Sequence, residues 1–453
     1  MKTKVFFIAV MLFSMLNFGG FTINAETINF AQQLQNLLEK NDIDGAIRLY
    51  DDIPENLSDD TDLKLLHASL LISAKRLNEA KAITTALKEG GNNGIEVLEM
   101  DAEIAMASGN KGAIQTAVNA LIALDPYNAV ANNILGNQQA LKKKYKLALG
   151  YYRKALVHSP DNEEALFGCG QMNYYLGDLT ASRTNFEKLL KYRPDEFQAY
   201  VYLGKLAAED EHFFEAINDV KKALELNPQS FDAWIDLGQY YRNIGRYDDA
   251  EKAWSKAISL DPTYFLGYTY RAGLYDEQNR IPEALKDYHK IVQTNPKYYF
   301  AFEEIGILEF HMKNWTTARE YFAKANAVRE STAYQLMILA TYLMEKKTFD
   351  AKNAADQFIK SGNKKDMNFS KSIDYNMIRL YKDQGPINLE SAIAKQIEKE
   401  TDKNKRGKMM YYFGLYYQMR GHQEVAADYY NKITKMQTPM FFEYRLAEWG
   451  LQE

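Results

Sequence analysis

The residues of this chain that could do chemistry are few, and their spacing does not favour it. A helical zinc site needs two histidines four residues apart, and none of the six has such a partner; they are His67, His158, His212, His289, His311 and His422. The glycine-rich patterns of phosphate-binding loops and the G-x-S-x-G of serine nucleophiles do not occur. We therefore predict no catalytic residue, no metal site and no cofactor.

Acidic and thiol side chains lead to the same expectation. Glu163-Glu164 and Glu303-Glu304 are adjacent pairs, and neighbours on a helix point in different directions, so a solvated face is favoured over an acid/base pair. Cys169 is the single cysteine, which excludes an internal disulfide and a multi-cysteine metal site. The formal net charge of −5 does not resemble the basic footprint of a nucleic-acid binder.

A repeat must position these residues. The chain has 453 residues, more than one compact core holds, so it contains several domains or an array of repeats. Six of its prolines follow one another at intervals of 34 residues; they are Pro126, Pro160, Pro194, Pro228, Pro262 and Pro296. A fixed period of this size is the signature of a repeat architecture.

The segment Phe231–Tyr264 shows what one repeat contains. Apolar residues three and four apart predict a first helix, which Gly245 ends, and then a second helix, which Pro262 ends. Two helices joined by a short turn pack antiparallel, but one pair cannot bury its apolar faces, so neighbouring pairs must stack.

These residues resemble the tetratricopeptide repeat (TPR) family, whose 34-residue pattern is a helix–turn–helix. The match lies in small residues where helices approach, aromatic residues that fill the gap, and the closing proline; the positions are Gly136, Ala148, Pro160, Gly170, Gly204, Ala216, Trp234, Gly238, Tyr241, Ala250, Trp254 and Pro262. The resemblance implies an all-α, right-handed α-solenoid of stacked antiparallel helix pairs, with about 10–12 units and a C-terminal capping helix. Cys169 then falls where the repeat usually has Leu, so we interpret it as a buried structural thiol.

The quality of the match divides the chain. Residues 27–128 hold divergent units, 129–332 well-matched units, 333–406 degenerate helical units, and 407–453 a final unit with a capping helix over Phe441–Leu451. The register slips around 353–372, and the slip is either a domain boundary or a long loop.

The N-terminal residues predict a targeting signal. Lys2 and Lys4 precede the apolar run Val5–Leu16, and small and polar residues follow up to Ala25, which is the pattern of a secretory signal peptide over 1–25. We expect an exported protein, periplasmic, associated with the cell surface or secreted, with no membrane span once the signal is removed.

In TPR proteins the first helices form a concave groove, and its positions here carry aromatic, amide and charged residues. The resemblance makes ten of them candidates for binding; they are Phe167, Gln171, Tyr174, Tyr175, Lys205, Gln239, Arg242, Asn243, Phe300 and Phe310. Some TPR proteins hold a terminal carboxylate in such a groove. Asn133 and Asn137 occupy the first two positions of that clamp, but the later positions do not match, so we expect no carboxylate clamp.

The resemblance therefore implies a protein that binds and does not catalyse. We expect a scaffold or assembly factor of the cell envelope that binds a protein or peptide partner in its groove and binds no nucleic acid. The alternative is capture of a solute or glycan, because aromatic platforms also stack on sugars.

Overall fold

The computed structural model describes residues 25–385, 387–436 and 440–452. These ranges contain α-helices and three short 3₁₀ segments and no β-strand. The predicted signal peptide lies outside the described residues, except for Ala25. None of the described helices has both the length and the apolar character needed to cross a bilayer. The chain forms two compact units, unit 1 up to Pro228 and unit 2 from Gln229.

Unit 1 consists of six consecutive helix pairs in the described ranges. Its helices are α1 (Ala25–Glu39), α2 (Ile43–Leu49), α3 (Thr61–Ser73), α4 (Leu77–Glu89), α5 (Ile95–Ser108), α6 (Lys111–Leu124), α7 (Ala129–Leu141), α8 (Tyr145–His158), α9 (Glu163–Tyr175), α10 (Leu179–Tyr192), α11 (Phe197–Glu209) and α12 (Phe213–Leu226).

Unit 2 repeats the arrangement with six pairs and one additional helix among the described residues. Its helices are α13 (Phe231–Asn243), α14 (Tyr247–Leu260), α15 (Phe265–Glu277), α16 (Ile281–Thr294), α17 (Tyr299–His311), α18 (Trp315–Val328), α19 (Thr332–Met344), α20 (Thr348–Lys365), α21 (Ile373–Asp383), α22 (Ile387–Lys399), α23 (Lys403–Met419), α24 (Gln423–Thr434) and α25 (Glu443–Gly450). The predicted all-α array of stacked helix pairs is confirmed.

The period of 34 residues also governs the turns inside the pairs. Each of these turns contains a residue with a positive φ, and nine such residues follow at intervals of 34; they are Asn41, Lys75, Gly109, Lys143, Gly177, Glu211, Gly245, Asn279 and Lys313. A residue with a side chain pays roughly 1–2 kcal/mol for this left-handed conformation. Packing of the two helices therefore dictates the turn, whether or not a glycine occupies it.

Small residues of the first helix face large residues of the second in the same pair. A Cβ added at Gly136 would lie 2.6 Å from the Tyr152 ring, and one added at Gly238 would lie 2.3 Å from Nε1 of Trp254. Trp254 is fully buried and donates from this nitrogen to the carbonyl of Ile235 at 3.1 Å. The core of each unit is thus built from contacts within pairs and between adjacent pairs.

A longer helix takes up the register slip around 353–372. Helix α20 has 18 residues and runs through Ser361–Lys365, and a 3₁₀ turn at Phe369–Lys371 follows it. The segment is therefore mostly helical and not a long loop. The predicted capping helix lies at Glu443–Gly450, within the expected range.

Candidate binding surfaces on the first helices

The first helices of unit 1 line an open groove of about 990 Å³. We call it the unit-1 groove, and its walls include Glu103 and Met106 of α5, Asn137 of α7, Glu164 and Phe167 of α9, and Gln198 of α11. Phe167 is the one predicted binding residue that lines this groove. Its half-buried ring packs edge-on against the Phe186 ring, with centroids 5.6 Å apart.

Two asparagines of α7 hold a glutamate of the next repeat in this groove. Asn133 Nδ2 donates to Glu164 Oε2 at 3.2 Å, and Asn137 Nδ2 donates to Glu164 Oε1 at 2.8 Å. The Tyr152 hydroxyl donates to Asn137 Oδ1 at 2.6 Å and fixes that amide. Asn133 and Asn137 hold the first two positions of the carboxylate clamp seen in some TPR proteins. Their amides thus already bind a carboxylate of the chain itself, that of Glu164.

The charge of the unit-1 groove is predominantly negative. Among the described residues five carboxylates line it, and Arg193 is the single lining cation; the carboxylates are those of Glu103, Asp161, Glu163, Glu164 and Glu196. Arg193 lies 3.2 Å from Glu163, 3.4 Å from Glu196 and 3.8 Å from Asp195, so this cation is already paired with acidic neighbours. A segment with positive charge would complement this surface.

Four tyrosines cluster around the C-terminal end of α9. The Tyr175 ring is 48% exposed and stacks on Tyr145 at 4.8 Å, while Tyr174 packs edge-on against Tyr202 at 5.6 Å. Gln171 donates to the Tyr202 hydroxyl at 2.8 Å. The structure thus brings the predicted residues Gln171, Tyr174 and Tyr175 together.

Tyr202 links this cluster to the core, a role that the candidate residues did not include. Its ring stacks on buried Phe186 at 4.9 Å, and Lys205 Nζ lies 5.8 Å from its centroid. Its ring also packs edge-on against the Phe167 ring, with centroids 5.9 Å apart, but the 34-residue period places Val201 and not Tyr202 at the position that corresponds to Phe167, so the period gave no signal for it.

The predicted residues of unit 2 are already engaged within that unit. Arg242 pairs with Glu277, and Gln239 Nε2 donates to Asn243 Oδ1 at 3.2 Å. Phe300 remains 45% exposed and stacks on Tyr299 at 4.2 Å.

Phe310 does not lie at a surface. It is only 8% exposed, and its ring packs edge-on against Trp315 at 5.0 Å. The ring belongs to the core of unit 2 and borders a small cavity of about 40 Å³ together with Trp315 and Trp449, and its role in binding stays a prediction.

Helix α25 covers part of the first-helix face of unit 2. Arg445 pairs with Asp276 of α15, and Trp449 stacks on His311 of α17 with ring centroids 3.9 Å apart. Just before the helix, Phe442 stacks on Tyr334 of α19 at 6.1 Å. The chain thus supplies the segment that lies on this face, which sequence reasoning did not foresee.

Two observations concern the reactive side chains of the described residues. Cys169 is 2% exposed, and burial raises the pKa of its thiol to about 12, so it stays protonated at neutral pH. Within residues 25–385, 387–436 and 440–452, no three His, Cys, Asp or Glu side chains come close enough to share a metal ion. The surfaces described above can bind through charge, amides and aromatic rings.

Comparison with known proteins identifies the repeat. Residues 231–264 and residues 170–217 match two family models, each described as a tetratricopeptide repeat. No curated protein is significantly similar to the chain in sequence.

Solved structures resemble parts of the chain. A MamA crystal structure is 26% identical over 36% of this chain and 95% of its own, with a TM-score of 0.34. YrrB, described as a TPR protein with an unusual peptide-binding site, is 21% identical over 42% of this chain and 97% of its own, with a TM-score of 0.36. A tetratricopeptide repeat protein from Parabacteroides merdae is 21% identical over 54% of this chain and 97% of its own, with a TM-score of 0.40.

Proposed function

We propose that this tetratricopeptide-repeat protein is a non-catalytic scaffold that binds a segment of a partner protein in the unit-1 groove. The observation that carries the proposal is the contrast between the two units. In unit 2 the chain's own helix α25 lies on the first-helix face, whereas the unit-1 groove is open among the described residues. The open groove has the dimensions and the mixture of apolar and polar groups that suit a peptide.

The composition of the groove walls supports a polypeptide ligand. Met106 is 44% exposed and offers adaptable apolar contact, while the exposed amide of Gln198 can donate and accept hydrogen bonds. Peptide backbones present donors and acceptors of the same kind at every residue. Binding without catalysis is supported by the burial of the one thiol.

Export and an envelope role form part of the proposal. Their support is the N-terminal sequence, in which a positively charged start, an apolar run and small residues precede Ala25. Mass spectrometry of the mature N-terminus in fractionated cells tests this. A chain that begins near Ala25 or Glu26 outside the cytoplasm supports export, and an intact Met1 in the cytoplasm contradicts it.

Groove binding is tested by capture after cross-linking in envelope extracts. The variant Met106→Ala/Gln198→Ala alters the groove walls, and Leu147→Ala/Lys221→Ala is its control, because Leu147 and Lys221 are exposed on second helices. The proposal expects the first variant to lose partners that the control and the wild type retain. Equal capture by both variants would refute it, and retention on a glycan array with no protein captured would favour the sugar-binding alternative.

A further inference from the structure

We propose that the segment bound in the unit-1 groove is a peptide segment of a partner protein that places a lysine or arginine side chain against Glu164. This inference rests on the proposed function and specifies the chemistry of the partner.

The first support is the imbalance of charge. The five carboxylates that line the groove face one lining cation, Arg193, which already lies within 3.4 Å of two of them. An acidic segment would meet repulsion along these walls, whereas a basic one would gain attraction and faster association.

The second support is the position of Glu164. Glu164 is exposed. Its two carboxylate oxygens accept hydrogen bonds from the side-chain amides of Asn133 and Asn137 in α7, at 3.2 and 2.8 Å. It forms no ion pair with a lysine or arginine among the described residues. The amides orient the carboxylate without neutralising it, so a cation of the partner finds it already positioned.

The third support is an unfilled acceptor beside Glu164. Asn133 also lines the groove and is 3% exposed, and its Oδ1 accepts no hydrogen bond from the described part of the chain. A buried acceptor without a donor is unfavourable. This oxygen is shielded from solvent, so an ammonium or guanidinium group of a ligand would reach it only after the Asn133 side chain turns towards the groove.

The fourth support comes from unit 2, where the chain shows what such a face accepts. The carboxylate of Asp276 receives the guanidinium of Arg445, and Glu304 lies 4.0 Å from it. Trp449, four residues further on, places its ring 4.1 Å from the same guanidinium. Carboxylates on first helices of this protein thus hold a basic side chain flanked by an aromatic one.

The test uses the chain from residue 25 to 453 and a random dodecapeptide display library as the probe. The affinities of selected peptides are measured by fluorescence anisotropy for the wild type, Glu164→Gln and the matched control Glu187→Gln. Glu187 is exposed on α10 and does not line the groove, so the control removes the same charge elsewhere. We expect Lys and Arg to be enriched, and Glu164→Gln to weaken binding about tenfold while Glu187→Gln changes it little.

Two results would overturn the inference, and the first of them leaves the proposed function intact. In one, the peptides show no basic enrichment and bind both glutamate variants equally, yet lose affinity for Met106→Ala/Gln198→Ala. In the other, the chain forms a dimer that Glu164→Gln dissociates, which would make a second copy the occupant. If no groove variant affects any peptide, the proposed function fails as well.

Folding of the variants is checked by circular dichroism. Should Glu164→Gln lose its helical signal, Asp161→Asn replaces it, because Asp161 is an exposed groove residue that lies in the turn before α9. We expect Asp161→Asn likewise to lower the affinity for the selected peptides about tenfold.

Discussion

Arg445 donates to both carboxylate oxygens of Asp276, a residue 169 positions earlier in the chain. Repeat arrays are usually stabilised by contacts between neighbouring repeats alone. This ion pair instead connects the last described helix, α25, to the second pair of unit 2. Both side chains are largely shielded from water, since Arg445 is 28% and Asp276 is 12% exposed.

Asp276→Asn should loosen α25. The substitution removes the charge that Arg445 faces, and a hydrogen bond to a charged group contributes about 1.5–3 kcal/mol. Hydrogen exchange measured by mass spectrometry should therefore show a roughly tenfold to hundredfold loss of amide protection in residues 443–450. Asp249→Asn is the control, because its pair with Arg246 is local and more exposed. Equal protection in both variants would show that the long-range pair contributes nothing.

Gly238→Ala should destabilise unit 2. A methyl group there would lie 2.3 Å from Nε1 of fully buried Trp254, and overpacking of this kind costs roughly 1–3 kcal/mol. Gly273→Ala is the matched control in α15, since a Cβ there meets nothing within 4 Å and alanine favours helix by roughly 0.5–1 kcal/mol. Urea unfolding curves should move in opposite directions. A shift of the same sign would contradict the packing described for Trp254.

Stability of unit 2 should fall as pH rises above about 4.5, because burial raises the pKa of Glu304 to about 8 and also acts on Glu443. Burial raises the pKa of the Glu443 carboxyl from 4.5 to about 7. The folded state then holds a proton that the unfolded state releases, so the contribution is fully present below pH 4.5 and is lost as pH rises through about 7. The rise in the pKa of Glu443 corresponds to about 3 kcal/mol of unfolding free energy at low pH.

Burial, and not hydrogen bonding, retains the proton on Glu443. Its Oε1 lies 2.7 Å from the Tyr412 hydroxyl, which in turn lies 3.1 Å from the carbonyl oxygen of Ala333. A protonated Glu443 can donate to Tyr412, and Tyr412 to Ala333. Glu443→Gln should reduce the dependence of unfolding free energy on pH in this window, and the raised pKa of Glu304 should keep part of it. A slope as steep as that of the wild type would assign the proton to another group.

Cys169 should resist thiol reagents until the protein unfolds. It is 2% exposed, so reagents cannot easily reach its sulfur. Its pKa is raised to about 12, so little of the reactive thiolate is present at neutral pH. Labelling with iodoacetamide at neutral pH should proceed slowly in the native protein and rapidly in urea. Val157→Cys, at a position that is 53% exposed, should add one fast-reacting thiol. Rapid native labelling of Cys169 would contradict the interpretation of a buried structural residue.

Local sequence patterns predict the helix pairs, because each pair is defined by residues within 34 positions. Prolines mark the ends of the second helices, and the spacing of residues such as Gly238 and Trp254 indicates which side chains meet. The left-handed turn residues follow the same period, but most of them are not glycine. In this series only Gly109, Gly177 and Gly245 indicate a left-handed turn from the sequence.

Contacts that skip repeats are not encoded in such patterns. Nothing in the spacing of Arg445 or Trp449 indicates that α25 packs onto α15 and α17. Glu164 was visible as a first-helix residue, but its amide partners lie in the preceding repeat. The period therefore indicates partners within a pair and does not indicate partners outside it.

The return of α25 to α15 also sets an order of events during synthesis. Asp276 leaves the ribosome 169 residues before Arg445. At typical translation rates of about 5–20 residues per second, this delay lasts roughly 10–30 s. Throughout it, the carboxylate of Asp276 and the ring of His311 lack the helix that later lies on them. During synthesis the chain therefore exposes two first-helix faces, the unit-1 groove and the face of unit 2, whereas in the finished protein α25 covers part of the second. Proteins near the ribosome can contact a surface that is covered in the mature molecule.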